Sequence, residues 1–163
     1  MGASVAQRIA MCAGLLTAPL TARLDHVQVP SRGQIESRSM KIKEFFRRKK
    51  CPLVSEAQEF ILAADQNHLD WRLLPSIAFV ESGAGKRYRN NNVLGWASCN
   101  QAFSSVRTGI HAVAARLGTS PLYRHKNIDQ ILCTYNPRPE YSVKVKAVMQ
   151  MIGSASLAPA AAD

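Results

Sequence analysis

The chain has 163 residues, 47% of them hydrophobic, with a formal charge of +10. That length holds one domain and excludes two of ordinary size, while the apolar share suffices for a packed core. Nine Gly and eight Pro are too few for a fibrous or disordered chain, and the positive balance suits a polyanionic partner such as cell-wall polymer, nucleic acid or anionic lipid.

The chain opens on a segment that reads as a cleavable signal over residues 1–22. A short start with one cation, Arg8, precedes an apolar run over residues 9–20 that is too short to span a bilayer. Small residues Thr21 and Ala22 then precede Arg23. This layout predicts export to the periplasm or beyond the cell, with no integral membrane segment after cleavage. Met11 stands where a lipoprotein box needs a small residue, so Cys12 is not read as a lipidation site. Residues 23–36 lack periodicity, contain Pro30 and Gly33, and read as a linker. The ordered domain is placed at residues 37–152, and the Ala/Ser/Pro-rich residues 153–163 read as a flexible tail.

Within the domain, helical spacing dominates. Ile42, Phe45 and Phe46 form an apolar stripe on a very basic first helix. Ser55 to Gln58 matches a capping box ahead of Ala57, Phe60, Ile61 and Ala64. Asp70 is a candidate cap for a third helix that is apolar on nearly every side, with Pro75 near its first turn and Gly83 and Gly85 closing it. Residues 87–99, with Asn90, Asn91, Asn92 and Gly95, suit a small hairpin or an irregular loop. Ser104 or Ser105 caps the next helix, with its stripe of Val106, Ile110, Val113 and Leu117. Asn127 caps a short helix through Tyr135, and Pro139 opens a last one carrying Tyr141, Val145, Val148, Met149 and Ile152. The expected class is all-α.

Beyond the signal lie Cys51, Cys99 and Cys133. Cys133 reads as a small core residue, and Cys51 with Cys99 is the pair to expect if a disulfide forms in an oxidising compartment. There is no C-x-x-C spacing, and His68, His111 and His125 lie on separate segments, so neither a metal nor another cofactor is expected.

The third helix carries the chemistry. Leu74, Ile77 and Ala78 mark one face, and Glu81 follows on the same face at the helix C-terminus. Desolvation and the negative end of the helix dipole both disfavour its carboxylate, which holds a proton available near neutral pH. A group that must protonate a glycosidic oxygen needs such a setting. The glycines, asparagines, Trp96 and Ser98 that follow offer the close backbone approach, amide donors and aromatic face that sugars require.

Glu81-Ser82-Gly83-Ala84-Gly85-Lys86 followed by Asn91-Asn92-Val93-Leu94-Gly95-Trp96 resembles the E-S-G-x-G-K…N-N-x-x-G motif of bacterial glucosaminidases. These belong to the lysozyme-like superfamily, alongside the lytic transglycosylases. Thr134-Tyr135-Asn136 resembles the A-Y-N segment of the latter, and Tyr141 with Val145 resembles the spacing on their final helix. The resemblance spans residues 54–152. It implies a lysozyme-like helical domain that cuts the glycan strands of peptidoglycan, with Glu81 as general acid. It also implies that Tyr135 lies near the cleaved bond and that Ser82, Asn92, Gly95, Trp96, Asn136 and Tyr141 contribute to a sugar groove. Ala84 stands where glucosaminidases often carry Trp, and the G-L-M-Q segment of transglycosylases is absent. Hydrolysis and formation of an anhydro product therefore both stay open.

No second carboxylate is obvious. Asp70 reads as a cap, Asp65 as helix surface, and Asp129 and Glu140 as first-turn acids. The resemblance implies that one Glu can act as acid and then base, with the substrate's N-acetyl group and 6-hydroxyl completing the reaction and Tyr135 orienting the N-acetyl group. Three rival readings differ in class. The same domain could bind glycan without cutting it. The basic run Arg47-Arg48-Lys49-Lys50 could bind nucleic acid, although it fits a solvated helix face better, and an exported chain argues for no nucleic acid. Cys99 could act as a nucleophile if His111 or His125 lay beside it. The favoured partner is the peptidoglycan strand, engaged by a monomer.

Overall fold

The computed structural model describes residues 31–155. The segment expected as a signal at residues 1–22, residues 23–30 of the expected linker and residues 156–163 of the expected tail lie outside the described residues. The tail expected from residue 153 does not begin there, because Gly153 still belongs to the last helix and Ala155 is buried. Among the described residues there are six α-helices and no strand: α1 (Arg32–Arg48), α2 (Ala57–Gln66), α3 (Leu73–Ser82), α4 (Val106–Thr119), α5 (Ile128–Tyr135) and α6 (Pro139–Gly153). Short 3-10 turns occupy Pro52–Val54 and Trp96–Cys99. The class is all-α, and no helix among these is long and apolar enough to cross a membrane. The segment after α3 is an irregular loop, not a hairpin.

Local chemistry sets most of the helix ends. The Ser105 side chain accepts from the Thr108 backbone N–H to start α4. Asn127 and Gln130 form a reciprocal capping box at α5, and Pro139 sits in the first turn of α6. Gly83 closes α3 in the left-handed conformation, at φ 63°. Three ends depart from the sequence reading. The helix α1 starts at Arg32, inside the expected linker, because Ser31 and Gln34 satisfy each other's backbone N–H groups at 3.3 and 2.9 Å. The Ser55 box does not form. There the chain enters α2 through the Pro52–Val54 turn, the Ser55 N–H is already donated to the Leu53 carbonyl, and Glu56 takes the cap position of α2. Asp70 accepts from the Arg72 backbone N–H at 2.9 Å and grips its guanidinium, but Arg72 takes the cap position of α3.

The core is one layer-crossing cluster built from Ile42, Phe45 and Phe46 of α1, Phe60 and Ile61 of α2, Leu74 and Ile77 of α3, Ile110 and Leu117 of α4 and Ile152 of α6. The helix α3 packs against α2 and α6, with α1 and α4 behind α2 and α5 beside α6. Between the helices, polar links hold the register. Arg38 and Asp65 form a two-armed bridge at 2.8 Å from α1 to α2, so Asp65 is a tie rather than bare helix surface. Glu59 of α2 receives both His111 and Arg107 of α4, at 3.0 and 2.9 Å. Lys146 of α6 holds Asp129 of α5 at 2.6 Å.

Two cysteine expectations change. Cys133 is exposed on α5, because the buried face of that short helix is set by Ile131 and Leu132. Cys51, Cys99 and Cys133 are all free thiols, with the Cys51 thiol buried and 3.7 Å from the Lys49 carbonyl, so the expected Cys51–Cys99 link is not formed.

Candidate active site

Glu81 lies in the last turn of α3, at a cleft of about 400 Å³ lined also by Gly95, Trp96, Ala97, Ser98, Leu122, Tyr123, Tyr135 and Asn136. The α3 helix presents the carboxyl from one side. Residues 95–98 of the following loop, the 122–123 turn and the end of α5 supply the rest of the lining. Glu81 is the one carboxylate in this lining. Asp65, Asp70, Glu59 and Asp129 are each engaged by a cation elsewhere. Among the described residues no three His, Cys, Asp or Glu side chains converge as a metal site would require.

Glu81 meets solvent at the cleft mouth. Even so, the protein around its carboxyl desolvates it enough to raise its pKa above the ordinary Glu value, and Tyr141 pulls the other way. The Tyr141 hydroxyl is buried and has no hydrogen-bond partner of ordinary geometry among the described residues. It is close enough to Glu81 for each to perturb the other. Burial pushes the Tyr141 pKa far upward, and the neighbouring Glu81 charge adds to that. At every working pH this phenol is therefore a neutral donor with no settled acceptor but Glu81 or a ligand. Replacing it with Phe removes the interaction that lowers the Glu81 pKa. The Glu81 titration midpoint is expected to move to higher pH in Tyr141→Phe, read by carbon NMR of the labelled carboxyl. A midpoint that stays or falls refutes the coupling.

Around the acid runs a row of aromatic rings. Tyr135 stacks on Tyr141 with centroids 6.0 Å apart and planes at 8°, and Trp96 meets Tyr135 edge-on at 5.6 Å. Tyr123 also stands 6.0 Å from Trp96, and the Arg116 guanidinium lies 5.5 Å from the Trp96 ring centre. Three of the four tyrosines in the chain thus gather here.

The expected site residues divide into two groups. Glu81, Gly95, Trp96, Tyr135 and Asn136 line the cleft together, and the Asn136 amide nitrogen is left without an acceptor among the described residues while its oxygen takes the Arg138 N–H. Tyr141 lies beneath them. Ser82 and Asn92 do not face a ligand. The Ser82 hydroxyl is buried, donating to the Ala78 carbonyl at 2.9 Å and accepting from the Gly85 N–H at 3.1 Å, which seals the end of α3. Asn92 is 1% exposed. Its amide donates to the Trp96 and Gln101 carbonyls at 2.8 and 3.1 Å and accepts the Trp96 N–H at 2.9 Å. Asn92 is thus a positioning residue, holding Trp96 by both its backbone N–H and its carbonyl.

Tyr135 also departs from its expected role. Its hydroxyl donates to the Leu94 carbonyl and so ties α5 to the loop, which leaves no proton to orient an N-acetyl group. Neither His111, engaged by Glu59, nor His125, which faces a different cavity, lines this cleft with Cys99's neighbour Ser98, so no thiol–imidazole pair is assembled here.

Tyr123 was not singled out from the sequence. It lies in the turn-rich stretch Ser120-Pro121-Leu122-Tyr123-Arg124, which has no apolar period, and its aromatic ring amid turn residues was the only available signal. No family model matches the chain, and neither a curated protein nor a solved structure does.

Proposed function

We propose that this chain is an exported glycosidase that cuts the glycan strands of peptidoglycan, with Glu81 as its sole acid–base group. The observation that carries the reading is the arrangement of one protonatable carboxyl, alone, in an aromatic-walled cleft of sugar size. Aromatic faces suit the C–H patches of sugar rings, and the Asn136 amide and Ser98 suit their hydroxyls. The resemblance of Glu81 to Lys86 and Asn91 to Trp96 to the glucosaminidase motif adds support of an independent kind, as does the +10 charge, which suits a wall polyanion.

In this reading the Glu81 proton passes to the glycosidic oxygen as the C1–O bond breaks, and the leaving strand departs as an alcohol. The carboxylate left behind then takes the proton of whichever hydroxyl attacks C1. Two-carboxylate glycosidases hold their partners about 5 to 9.5 Å apart across the bond, and no second carboxylate lines this cleft. That favours attack by the sugar's own 6-hydroxyl, which is tethered to the ring, over attack by a water that a second carboxylate would have to hold in place.

Digestion of purified sacculi by the chain from Arg23 onward, with mass spectrometry of the released muropeptides, tests the reading. Anhydro-ended fragments are expected, and reducing-ended fragments would instead assign hydrolysis. Sacculi that bind the protein yet release nothing would leave a glycan-binding module and sink the enzyme.

A further inference from the structure

A second cavity of about 780 Å³ is also lined by Tyr123, so that this one residue is shared by both spaces. Its lining is apolar at Leu69, Leu117 and Ile131 and cationic at Arg124 and Lys126. The two carboxylates in the lining are already neutralised, Asp70 by Arg72 and Asp129 by Lys146. Arg124, by contrast, has no carboxylate partner among the described residues, and Lys126 reaches only the Thr134 hydroxyl and the Tyr123 ring face, 5.9 Å from its centre. The unbalanced charge of this cavity is therefore positive. His68 and His125, both in its lining, are held at φ 54° and 66°, left-handed conformations that a non-glycine residue keeps only where its surroundings impose them.

We propose that this cavity takes the acidic peptide that branches from the glycan strand, while the sugars of the same strand lie in the Glu81 cleft. The inference rests on the glycosidase reading and names its substrate as peptide-bearing strands rather than bare glycan. A lining that is apolar in part and cationic in part matches a short peptide of small aliphatic side chains and free carboxylates, and it matches a bare sugar chain poorly. The shared Tyr123 makes the cavity a neighbour of the cleft, so a substituent on a sugar bound there can enter it. Lys126, which lines the cavity, and Trp96, which lines the cleft, both pack on Tyr123, at 5.9 and 6.0 Å from its ring centre.

The test compares kcat/KM on peptide-bearing strands with that on strands stripped of peptide by an amidase, for the wild-type chain and for Arg124→Glu. Arg124 is exposed, so the charge reversal leaves the core untouched, and matching melting curves check that. Wild type is expected to prefer peptide-bearing strands about tenfold, and the variant is expected to lose most of that preference. Equal cleavage of both substrates by wild type, or an unchanged preference in the variant, overturns the inference and leaves the glycosidase standing. A second measurement is independent of turnover: NMR titration of the chain with the free acidic peptide. Shifts confined to residues around Tyr123, Arg124 and Ile131, abolished in Arg124→Glu, support the cavity even where no strand is cut, an outcome that would count against the enzyme alone. No shifts at millimolar peptide overturn it.

Discussion

Glu81→Gln is expected to lower the rate of muropeptide release about 10³-fold, the middle of the range that a positioned general acid contributes. The amide fills the same space and keeps a donor near the leaving oxygen, but it has no proton to transfer and no charge to accept one afterwards. Because no second carboxylate lines the cleft, no neighbour can take over. Stability gives the control. Burial raises the Glu81 pKa in the folded chain, so the folded state binds protons more tightly than the unfolded one, and stability falls as pH rises from the unfolded pKa through the folded pKa. The glutamine variant lacks that loss. Its melting temperature should equal or exceed that of wild type at pH 7, and the two should converge below about pH 4, where both states of the wild-type carboxyl are protonated. Paired rate and melting measurements across pH check both parts. More than a tenth of wild-type activity in the variant, or a variant less stable at pH 7, would remove Glu81 from its assigned role.

The same carboxyl explains how far the sequence was readable. Leu74, Ile77, Ala78 and Glu81 lie at helical spacing, and a helix apolar on nearly every side has to be buried by its neighbours, so an acid at its end on that face was legible before any coordinates. Helix ends made by one residue acting on its neighbours were legible too, as at Ser105, Asn127, Pro139 and Gly83. Where two local signals competed, the reading failed. Pro30 and Gly33 masked the Ser31–Gln34 box that begins α1, and Ser55 to Gln58 looked like a box although the Pro52–Val54 turn had already taken the donor. Cys133 illustrates a third kind of miss, since on an eight-residue helix only one face can be covered, and Ile131 and Leu132 take it.

The polar residues of the loop show the limit more sharply. An asparagine that binds a sugar and one that clamps a loop have identical donors and acceptors, and only the tertiary path distinguishes them. The structure commits Asn90 to the Cys99 carbonyl, Asn91 to the Phe103 carbonyl and Asn92 to Trp96 and Gln101. All three consecutive asparagines thus fasten the residue 90–92 turn to the residue 96–103 segment. The loop wall of the cleft is preorganised by these amides, and ligand contact falls to the rings and to Asn136. Tyr135 follows the same logic, since its aromatic face belongs to the cleft and its hydroxyl to the Leu94 carbonyl.

Gly95→Ala should silence the site without unfolding the chain. Gly95 stands at φ 71°, ψ 13°, in the left-handed region, and its backbone lies directly beneath the acid. A Cβ built there meets Glu81 Oε2 at 2.5 Å, Cδ at 2.8 Å and Cγ at 3.0 Å, closer than atoms can pack. The loop is stapled by Asn92 while the Glu81 side chain is free to turn, so the carboxyl is the part that moves. A displacement of about 1 Å at a reacting group lowers turnover roughly 10²-fold, and the loss should appear in kcat. The left-handed alanine itself destabilises the fold by about 1 to 3 kcal/mol. Gly83→Ala separates the two effects. Gly83 has nearly the same conformation, at φ 63°, but its added Cβ would meet the Lys86 side chain at 3.2 Å, away from the acid. It should show a similar fall in melting temperature with turnover kept within about threefold of wild type, a change of under 1 kcal/mol in barrier. Equal losses of turnover in the two variants would mean that backbone strain, and not displacement of Glu81, governs the rate, and the close seat of the acid on Gly95 would then have no part in the chemistry.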